Sequence, residues 1–320
     1  MSLPKVLVVN PILPQSALNL LRDKCFVSIS PAQTKEAILP LLKGVDAVLW
    51  SGRLNLDKEL LDVAGPQLKI VATSSSGYNH VDLGELKRRG IKLSNSTAHN
   101  NTVADTALLL ALGAARRLTE GRWHIERGTW PHEFKVQWML GRDISGATIG
   151  LIGFGGIGQA IAVRTRAFQA ARILYTGHKE KPEAHQLGAH FVPLDTLIRD
   201  SDFIFLAAPL TEETRHMCNS AFFERMKNTA VLVNVGRGDL VDQEALIKAL
   251  KEGQIFAAGL DVMTPEPLNT DSELLTLPNV VLTPHIGSAT RKTREEMSEL
   301  AARNILKGLA GEPLLTPVEL

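Results

Sequence analysis

The chain has 320 residues, in which 35 lysines and arginines nearly balance 34 aspartates and glutamates, so the formal net charge at pH 7 is +1. This length suggests two domains that can each bury a core, and the balanced charge argues against a nucleic-acid or membrane-surface partner. No signal peptide or membrane span is expected, because no apolar run approaches the roughly 18 to 20 residues of a span. Cys25 and Cys218 are far apart, which predicts buried thiols rather than a disulfide framework. We therefore expect a cytoplasmic protein with a small-molecule ligand.

Short β-branched runs alternate with helical patterns in the first hundred residues. The predicted strands are KVLVV, CFVSI, DAVLW and LKIVAT, separated by segments with helical periodicity such as QSALNLLRDK. This alternation is typical of a parallel sheet with crossover helices. The alternation breaks at NSTAHNN, which predicts a domain boundary. The next segment, VADTALLLALGAARRL, predicts a helix that is apolar on nearly every face and is therefore buried or at an interface.

A second alternating series follows that helix. Its predicted strands are ATIGLIG, RILYTG, AHFV, DFIFLAA, AVLVNV, IFAAGLDV and VVLTPH. Two doubly wound parallel-sheet units of the Rossmann-like α/β class are the simplest account of the two series.

The segment IGLIGFGGIG, residues 149–158, contains a G-x-G-x-x-G motif between an apolar strand and a helical pattern. In that context the first glycine allows a tight turn, the second lets the backbone approach a pyrophosphate, and the third permits close helix packing. A glycine-rich turn without a ligand is the alternative. The cofactor-binding residues predicted here are Gly153, Phe154, Gly155, Gly156, Ile157 and Gly158.

The segment ILYTGHKEK, residues 173–181, predicts which dinucleotide is bound. NAD enzymes usually carry an acidic residue about 20 positions past the glycines, where it binds the ribose 2′-OH. Gly177 stands at that position, and three basic residues follow: His178, Lys179 and Lys181. Such donors suit a 2′-phosphate, although Glu180 partly offsets their charge. We expect NADPH as the cofactor and NADH as a weaker alternative. The other interpretation of the basic residues is an exposed turn that binds no ligand.

Four ionisable side chains follow later predicted strands: Arg237, Asp261, Glu266 and His285. Ligands of doubly wound sheets lie outside the carboxyl ends of the strands, so these side chains are expected to converge. Arginine offers a planar fork to a carboxylate, and histidine beside a carboxylate makes a general acid. Each of these residues alone could serve only the structure of the fold. Their expected common location favours a catalytic role.

Arg237, Gly238 and Asp239 spell the cell-adhesion triplet RGD. An apolar strand precedes the triplet, and a helix predicted to be capped by Asp242 follows it. We therefore interpret the triplet as the end of a strand and not as an adhesion motif.

The motifs GFGGIG, NVGRGDLVD, GLDVMTPEPL and TPHIGSAT, with SSSGYNHVD earlier, resemble the D-isomer-specific 2-hydroxyacid dehydrogenases over essentially the whole chain. Within that family, the chain is most similar to the branch that reduces glyoxylate and hydroxypyruvate. The resemblance implies NAD(P)H-dependent reduction of such a small 2-oxo acid to the D-2-hydroxy acid by a homodimer. It also implies that a dinucleotide-binding domain, residues 102–285, is inserted into a substrate-binding domain formed by residues 1–101 and 286–320.

The resemblance implies a role for each matching residue, and no metal is expected. Arg237 would hold the substrate's carboxylate and 2-oxo group, His285 would donate the proton, and Glu266 would orient and charge His285. The backbone N–H groups of Ser76 and Gly77 would bind the carboxylate. Four further residues are assigned to the cofactor: Pro209, Val235, Asp261 and Gly287. Ser288 is assigned to the substrate side of the same pocket.

Two other functions stay open at this stage. The same fold serves a nucleotide-sensing corepressor-type binding protein, which is disfavoured because no long tail follows the last predicted helix. A 2-hydroxyacid dehydrogenase with a different substrate is the other alternative, although Glu266 disfavours formate dehydrogenase, in which the histidine pairs with glutamine. The serine-rich loop, residues 74–76, is more polar than in the related enzymes.

Three of the four tryptophans, Trp123, Trp130 and Trp138, lie in one segment after the apolar helix. The resemblance favours a homodimer formed through this segment and the preceding helix, and local burial is the alternative. Phe134 stands about where the related enzymes carry a tryptophan that reaches the active site of a neighbouring subunit.

Overall fold

The structure, a computed structural model, describes residues 2–52, 54–133 and 135–320. It divides the chain into two compact units, Met1–His99 with Ala289–Leu320, and Asn100–Ser288. These borders lie close to the predicted ones, and the assignment of the units to substrate and cofactor stays a prediction. Both cysteines are buried and free. Within the described ranges, no helix combines the length and apolarity that a membrane crossing requires.

The first unit begins with alternating strands and helices. Their bounds are β1 Lys5–Val8, α1 Gln15–Arg22, β2 Phe26–Ile29, α2 Lys35–Leu42, β3 Ala47–Trp50, α3 Lys58–Ala64, β4 Ile70–Thr73, α4 Leu83–Arg89 and β5 Lys92–Ser94. The four predicted strands are confirmed. The fifth, β5, was not predicted, because it has only three residues and its sequence carries no run of β-branched side chains. Side chains of Thr34, Asp57 and Asp82 cap α2, α3 and α4 by accepting backbone N–H groups.

The second unit contains the second predicted series. Its elements are α5 Asn100–Ala115, α6 Leu118–Glu126, β6 Thr148–Ile152, α7 Gly156–Ala167, β7 Arg172–Thr176, α8 Glu183–Leu187, β8 Ala189–Phe191, α9 Leu194–Asp200, β9 Phe203–Leu206, α10 Ser220–Phe223, β10 Val231–Asn234, α11 Gln243–Lys251, β11 Ala257–Leu260 and β12 Val280–Leu282. All seven predicted strands are present. They form a parallel sheet in the order β12-β11-β10-β9-β6-β7-β8. The order reverses between β6 and β9, which makes the carboxyl ends of these two strands the expected ligand position.

The chain then returns to the first unit with α12 Arg291–Leu309 and β13 Pro317–Val318. The sheet of this unit has the order β13-β5-β4-β3-β1-β2, in which only β13 is antiparallel to its neighbour. Ala301, Ala302 and Ile305 of α12 are buried in a core cluster with residues of β1, β3 and β4. The Asn304 side chain accepts the N–H groups of Leu315 and Thr316, which ties the end of the chain to α12.

The helix α5 lies against α7 and strands β10 and β11 within the second unit. The sequence predicted that this apolar helix is either buried or at an interface, and the structure shows that most of it is buried within its own unit. Nine of its residues are buried, most of them alanine and leucine, and Leu109 is an exposed exception. Small side chains let the helix approach the sheet closely, and Gly259 of β11 would clash with Leu110 if it carried a Cβ.

Candidate active site

The glycine loop joins β6 to α7 at the switch point of the second sheet. Gly153 has φ +94°, and a Cβ there would lie 2.7 Å from the Ala208 nitrogen, so both its conformation and its surroundings require glycine. A Cβ on Gly155 would meet nothing within 4 Å, which leaves open space beside the amino end of α7. Gly158 is buried, and a Cβ there would clash with the Gly153 carbonyl. The loop thus has the close packing and open face that a pyrophosphate requires.

Three neighbouring positions of this loop have different surroundings. Gly156 is exposed, and a Cβ there would clash with the Asn100 side chain. The Ile157 side chain is half-buried against the core. The Phe154 side chain is buried and stacks on Tyr175, with ring centroids 4.1 Å apart, so only its backbone faces the loop.

The end of β7 lies beside the glycine loop, because Gly153 N–H donates to the Thr176 carbonyl at 3.1 Å. Gly177 is exposed, and a Cβ there would meet no atom within 4 Å. His178 and Lys179 are exposed and Lys181 is half-buried; in the portion of the chain that the structure describes, none of the three forms an ion pair. An open position followed by unpaired basic side chains fits a phosphate group.

Tyr175 holds the turn that carries these basic residues. Its hydroxyl accepts the Lys181 backbone N–H at 2.9 Å, and its ring is fully buried between Phe154 and Phe191. The sequence does not indicate this role, since a tyrosine inside an apolar run predicts only a buried strand. One buried side chain therefore contacts both the glycine loop and the turn after β7.

Arg237 follows β10, and Asn234 shapes its loop. The Asn234 side chain is buried, accepts the Gly236 N–H at 3.0 Å and donates to the Arg237 carbonyl at 2.8 Å. Arg237 Nη1 donates to the Gly236 carbonyl at 2.6 Å. Burial lowers the pKa of Arg237 from its ordinary value, and the nearby Glu266 opposes that shift. The guanidinium stays charged because an ordinary arginine pKa is far above neutral pH.

His285 and Glu266 form a hydrogen-bonded pair after β12 and β11. The atoms His285 Nδ1 and Glu266 Oε2 are 2.8 Å apart, and Glu266 Oε1 accepts the Met263 N–H at 3.3 Å. His285 has φ +56°, a left-handed conformation that non-glycine residues seldom adopt. Its side chain is 42% exposed. With Nδ1 held by a carboxylate, Nε2 is the nitrogen that can face a substrate.

Asp261 holds the loop that carries His285. Its carboxylate accepts Thr283 Oγ1 at 2.7 Å, Ile286 N–H at 2.8 Å and Gly287 N–H at 2.8 Å. Its carbonyl accepts the His285 N–H at 2.8 Å, and the residue is 2% exposed. These contacts show that the buried carboxylate positions the loop, whereas the family resemblance implies only a contact with the cofactor.

The remaining predicted cofactor and substrate residues of the second unit have different environments. Val235 is buried in the core, so its side chain faces away from solvent. Pro209 is exposed, and its carbonyl accepts Thr214 Oγ1 at 2.8 Å. Gly287 is buried, and a Cβ there would lie 2.8 Å from Asp261 Oδ2. Ser288 is half-buried at the end of the unit.

Ser76 and Gly77 follow β4 in the first unit. The carbonyl groups of this loop are engaged: Ser75 Oγ donates to Gly77 O at 2.8 Å, and Asn95 Nδ2 donates to Ser76 O at 2.8 Å. The N–H groups of Ser76 and Gly77 have no hydrogen-bond acceptor among residues 2–52, 54–133 and 135–320. The carbonyl contacts therefore hold the loop while its amides stay available for an anion.

The tryptophan segment is mostly exposed. No residue of α6 is buried, Ile125 is 66% exposed and Trp130 is 62% exposed. Trp123 and Trp138 are half-buried; the Arg127 guanidinium covers the first, and His124 contacts the ring of the second. Phe134, predicted to stand at the position of an inter-subunit tryptophan, lies outside the described residues.

Comparisons with known proteins show which family this chain is similar to. A family model described as "D-isomer specific 2-hydroxyacid dehydrogenase, NAD binding domain" matches residues 108–287. A glyoxylate reductase of Thermococcus onnurineus is 44% identical over 97% of this chain and 94% of its own length. A glyoxylate reductase/hydroxypyruvate reductase of Homo sapiens is 46% identical over 83% of this chain and 81% of its own.

A solved structure shares the fold of the whole chain. The crystal structure of a glyoxylate reductase from Paecilomyes thermophila has a TM-score of 0.90 and 31% identity, and the match covers 99% of each chain. The resemblance that the motifs indicated is thereby confirmed over both units. This chain belongs to the D-isomer-specific 2-hydroxyacid dehydrogenase family.

Proposed function

We propose that this protein reduces glyoxylate or hydroxypyruvate to the D-2-hydroxy acid, with NADPH preferred over NADH. The hydrogen bond of 2.8 Å between His285 and Glu266 carries the proposal, because it orients an imidazole in the unit that also bears the glycine loop. Relatives named for glyoxylate reduction favour a reductase over the corepressor-type alternative.

His285 acts as the proton donor in this proposal. The carbonyl oxygen of the substrate, which gains the electron pair of the C=O bond during reduction, would take the proton from Nε2. Glu266 holds Nδ1 and so orients the ring for the transfer. General acid catalysis of this kind contributes about 10² to 10⁴ in rate.

Arg237 is the residue of the second unit that binds the substrate in this proposal. The guanidinium would pair with the substrate's carboxylate and with the oxygen on which charge develops. Its partial burial strengthens this interaction, because electrostatic contacts gain strength where water is excluded. The free N–H groups of Ser76 and Gly77 would bind the carboxylate as the family resemblance implies, and Ser288 would lie on the same side of the substrate.

The cofactor-binding residues fit a nicotinamide dinucleotide. When bound, the cofactor supplies the hydride. The open face at Gly155 and the amino end of α7 suit its pyrophosphate, since free N–H groups and the helix dipole attract anions. Asp261 supports the nicotinamide side indirectly by holding residues 285–287, and we assign Pro209, Val235 and Gly287 to that side through their backbone.

The preference for NADPH rests on the turn after β7. Gly177 leaves space, and no acidic side chain stands where NAD enzymes bind the ribose 2′-OH. His178, Lys179 and Lys181 would bind the 2′-phosphate, which carries nearly two negative charges at neutral pH.

We further propose a cytoplasmic homodimer. The exposed apolar side chains of the tryptophan segment support an interface, because five large apolar side chains are exposed within the described part of residues 118–140 and exposed apolar surface often marks a protein–protein contact. These side chains are Leu118, Ile125, Trp130, Val136 and Leu140. The two free buried cysteines are compatible with a reducing compartment.

A panel of 2-oxo acids assayed with NADPH and with NADH tests the proposed function. We expect glyoxylate or hydroxypyruvate to give the highest kcat/KM, and the product to be the D-hydroxy acid by chiral chromatography. Absence of turnover with every 2-oxo acid, despite measurable binding of the reduced cofactor, would contradict a reductase and favour a binding protein.

A further inference from the structure

Asp239 connects the two loops that carry the proposed catalytic groups. It lies two positions after Arg237, in a short 3₁₀ turn, Gly238–Leu240. Its Oδ1 accepts Thr264 Oγ1 at 2.7 Å, and its Oδ2 accepts Arg215 Nη1 at 2.5 Å. Thr264 lies in the loop that carries Glu266. The carboxylate of the RGD triplet therefore links the Arg237 loop to the Glu266 loop.

The contacts continue from Thr264 to the proton donor. Thr264 N–H donates to Gln243 Oε1 at 3.2 Å, which anchors the residue from a second side. The preceding residue, Met263, donates its N–H to Glu266, and Glu266 holds His285. Movement of Thr264 would therefore displace the carboxylate that orients His285.

The backbone brings the same two loops into close contact. A Cβ on Gly238 would clash with the Met263 carbonyl and would lie 2.6 Å from Thr264 Oγ1. The absence of a side chain at Gly238 thus lets the loops approach closely enough for Asp239 to reach Thr264. The close packing at Gly238 and the hydrogen bond of Asp239 thus hold the two loops at the same distance.

We propose that Asp239 is a positioning residue, which sets the placement of Arg237 relative to the Glu266–His285 pair by holding Thr264. This inference rests on the proposed function, because it concerns the groups assigned to the reduction. Asp239 itself touches neither substrate nor cofactor in this role.

The charge of Asp239 is maintained by its partners. The Thr264 hydroxyl and the Arg215 guanidinium lower the pKa of Asp239 from its ordinary value, although partial burial opposes them, and His216 is a further nearby group that favours the charged form. The carboxylate is therefore ionised throughout the neutral range, and it accepts two hydrogen bonds at once. Asparagine has nearly the same shape but only one accepting oxygen, so it cannot preserve both contacts.

A purely structural role would have a different signature. The side chains of Asp239 and Arg215 are 26% and 46% exposed, and ion pairs at such exposure contribute little to folding. We therefore expect substitution to reduce activity far more than thermal stability.

The test compares Asp239→Asn, Thr264→Val, their double variant and Thr264→Ser. The last of these keeps the hydroxyl that donates to Asp239. Asp195→Asn is the matched control, because it breaks an exposed aspartate–arginine pair with Arg225 in the same unit. Asp239→Asn and Thr264→Val should each lower kcat/KM for the 2-oxo acid about tenfold, equivalent to about 1.4 kcal/mol. The dissociation constant of NADPH should stay unchanged. The double variant should lose no more than either single one, and Thr264→Ser should retain most of the activity.

A second readout does not depend on turnover. The His285 ring signal in ¹³C-edited NMR, assigned with His285→Gln, should shift in Asp239→Asn and Thr264→Val and stay in place in Thr264→Ser and Asp195→Asn. Unshifted His285 signals in both variants would overturn the inference, as would additive losses in the double variant. A shifted signal in a protein that turns over no 2-oxo acid would support the positioning of His285 while contradicting the proposed function.

Discussion

His285 Nδ1 lies 2.8 Å from Glu266 Oε2, so the imidazole of the proposed proton donor is oriented by a residue from a different strand end. This geometry leaves Nε2 as the nitrogen that we propose donates the proton. Replacement of His285 by alanine should remove most of the turnover and leave NADPH binding nearly intact. We expect kcat to fall by about 10² or more, as general acid catalysis implies. His190→Ala, at an exposed position on β8, is the control, and more than about a tenth of the parental rate in His285→Ala would contradict the assignment.

The Glu266 carboxylate holds Nδ1 of His285. In Glu266→Gln the side chain keeps its shape but loses the charge beside the ring. We therefore expect kcat for reduction to fall about tenfold, equivalent to about 1.4 kcal/mol, while NADPH binding stays unchanged. Steady-state kinetics and cofactor titration check this, with Glu244→Gln on the surface of α11 as the control. An unchanged kcat would remove Glu266 from the mechanism.

Gly177 and Lys179 are expected to determine the cofactor preference. The parent should favour NADPH over NADH by about tenfold in kcat/KM, which corresponds to about 1.4 kcal/mol. Gly177→Asp should reverse this preference, since its side chain has space to enter and would repel the 2′-phosphate while accepting the 2′-OH. Lys179→Ala should weaken the binding of NADPH alone. The control Lys248→Ala should change the binding of neither cofactor. A parent enzyme that prefers NADH would refute the proposal, and so would equal weakening of both cofactors by Lys179→Ala.

Tyr175→Phe should affect NADPH more than NADH. The variant keeps the buried ring and its stacking on Phe154 but removes the acceptor of the Lys181 N–H. Loss of one hydrogen bond, about 0.5 to 1.5 kcal/mol, should raise the KM for NADPH by about twofold to thirteenfold as the basic turn loosens. NADH serves as the internal control, because it has no 2′-phosphate. Equal changes in both KM values would indicate a general effect on the sheet.

The homodimer proposed here places the tryptophan segment at the subunit interface. Sedimentation equilibrium at micromolar concentration should give twice the chain mass of 34.8 kDa. Ile125→Glu and Trp130→Glu should shift the protein toward the monomer, because a charge on an apolar contact must be desolvated. Ile12→Glu, at an exposed position in the first unit, should leave the dimer intact. A monomeric parent would refute the interface.

The order of strands and helices could be predicted because their signals are local. Every strand of the second sheet corresponds to an apolar run, and the glycine spacing identified the β6–α7 loop without tertiary information. Asp242 was also predicted as a helix cap, and its side chain accepts the Ala245 N–H at 3.2 Å. These features depend on neighbours in the chain, so they can be predicted without the tertiary structure.

The contacts that organise the candidate site depend on residues distant in sequence. Asp239 and Thr264 are 25 positions apart, and no local pattern indicates that one carboxylate would accept both Thr264 and Arg215. Asp261 likewise holds its loop through a distant residue, because its carboxylate accepts the N–H of Gly287, which lies 26 positions later. The parallel sheet decides these pairings, because it places the ends of β10, β11 and β12 side by side and lets their loops exchange hydrogen bonds.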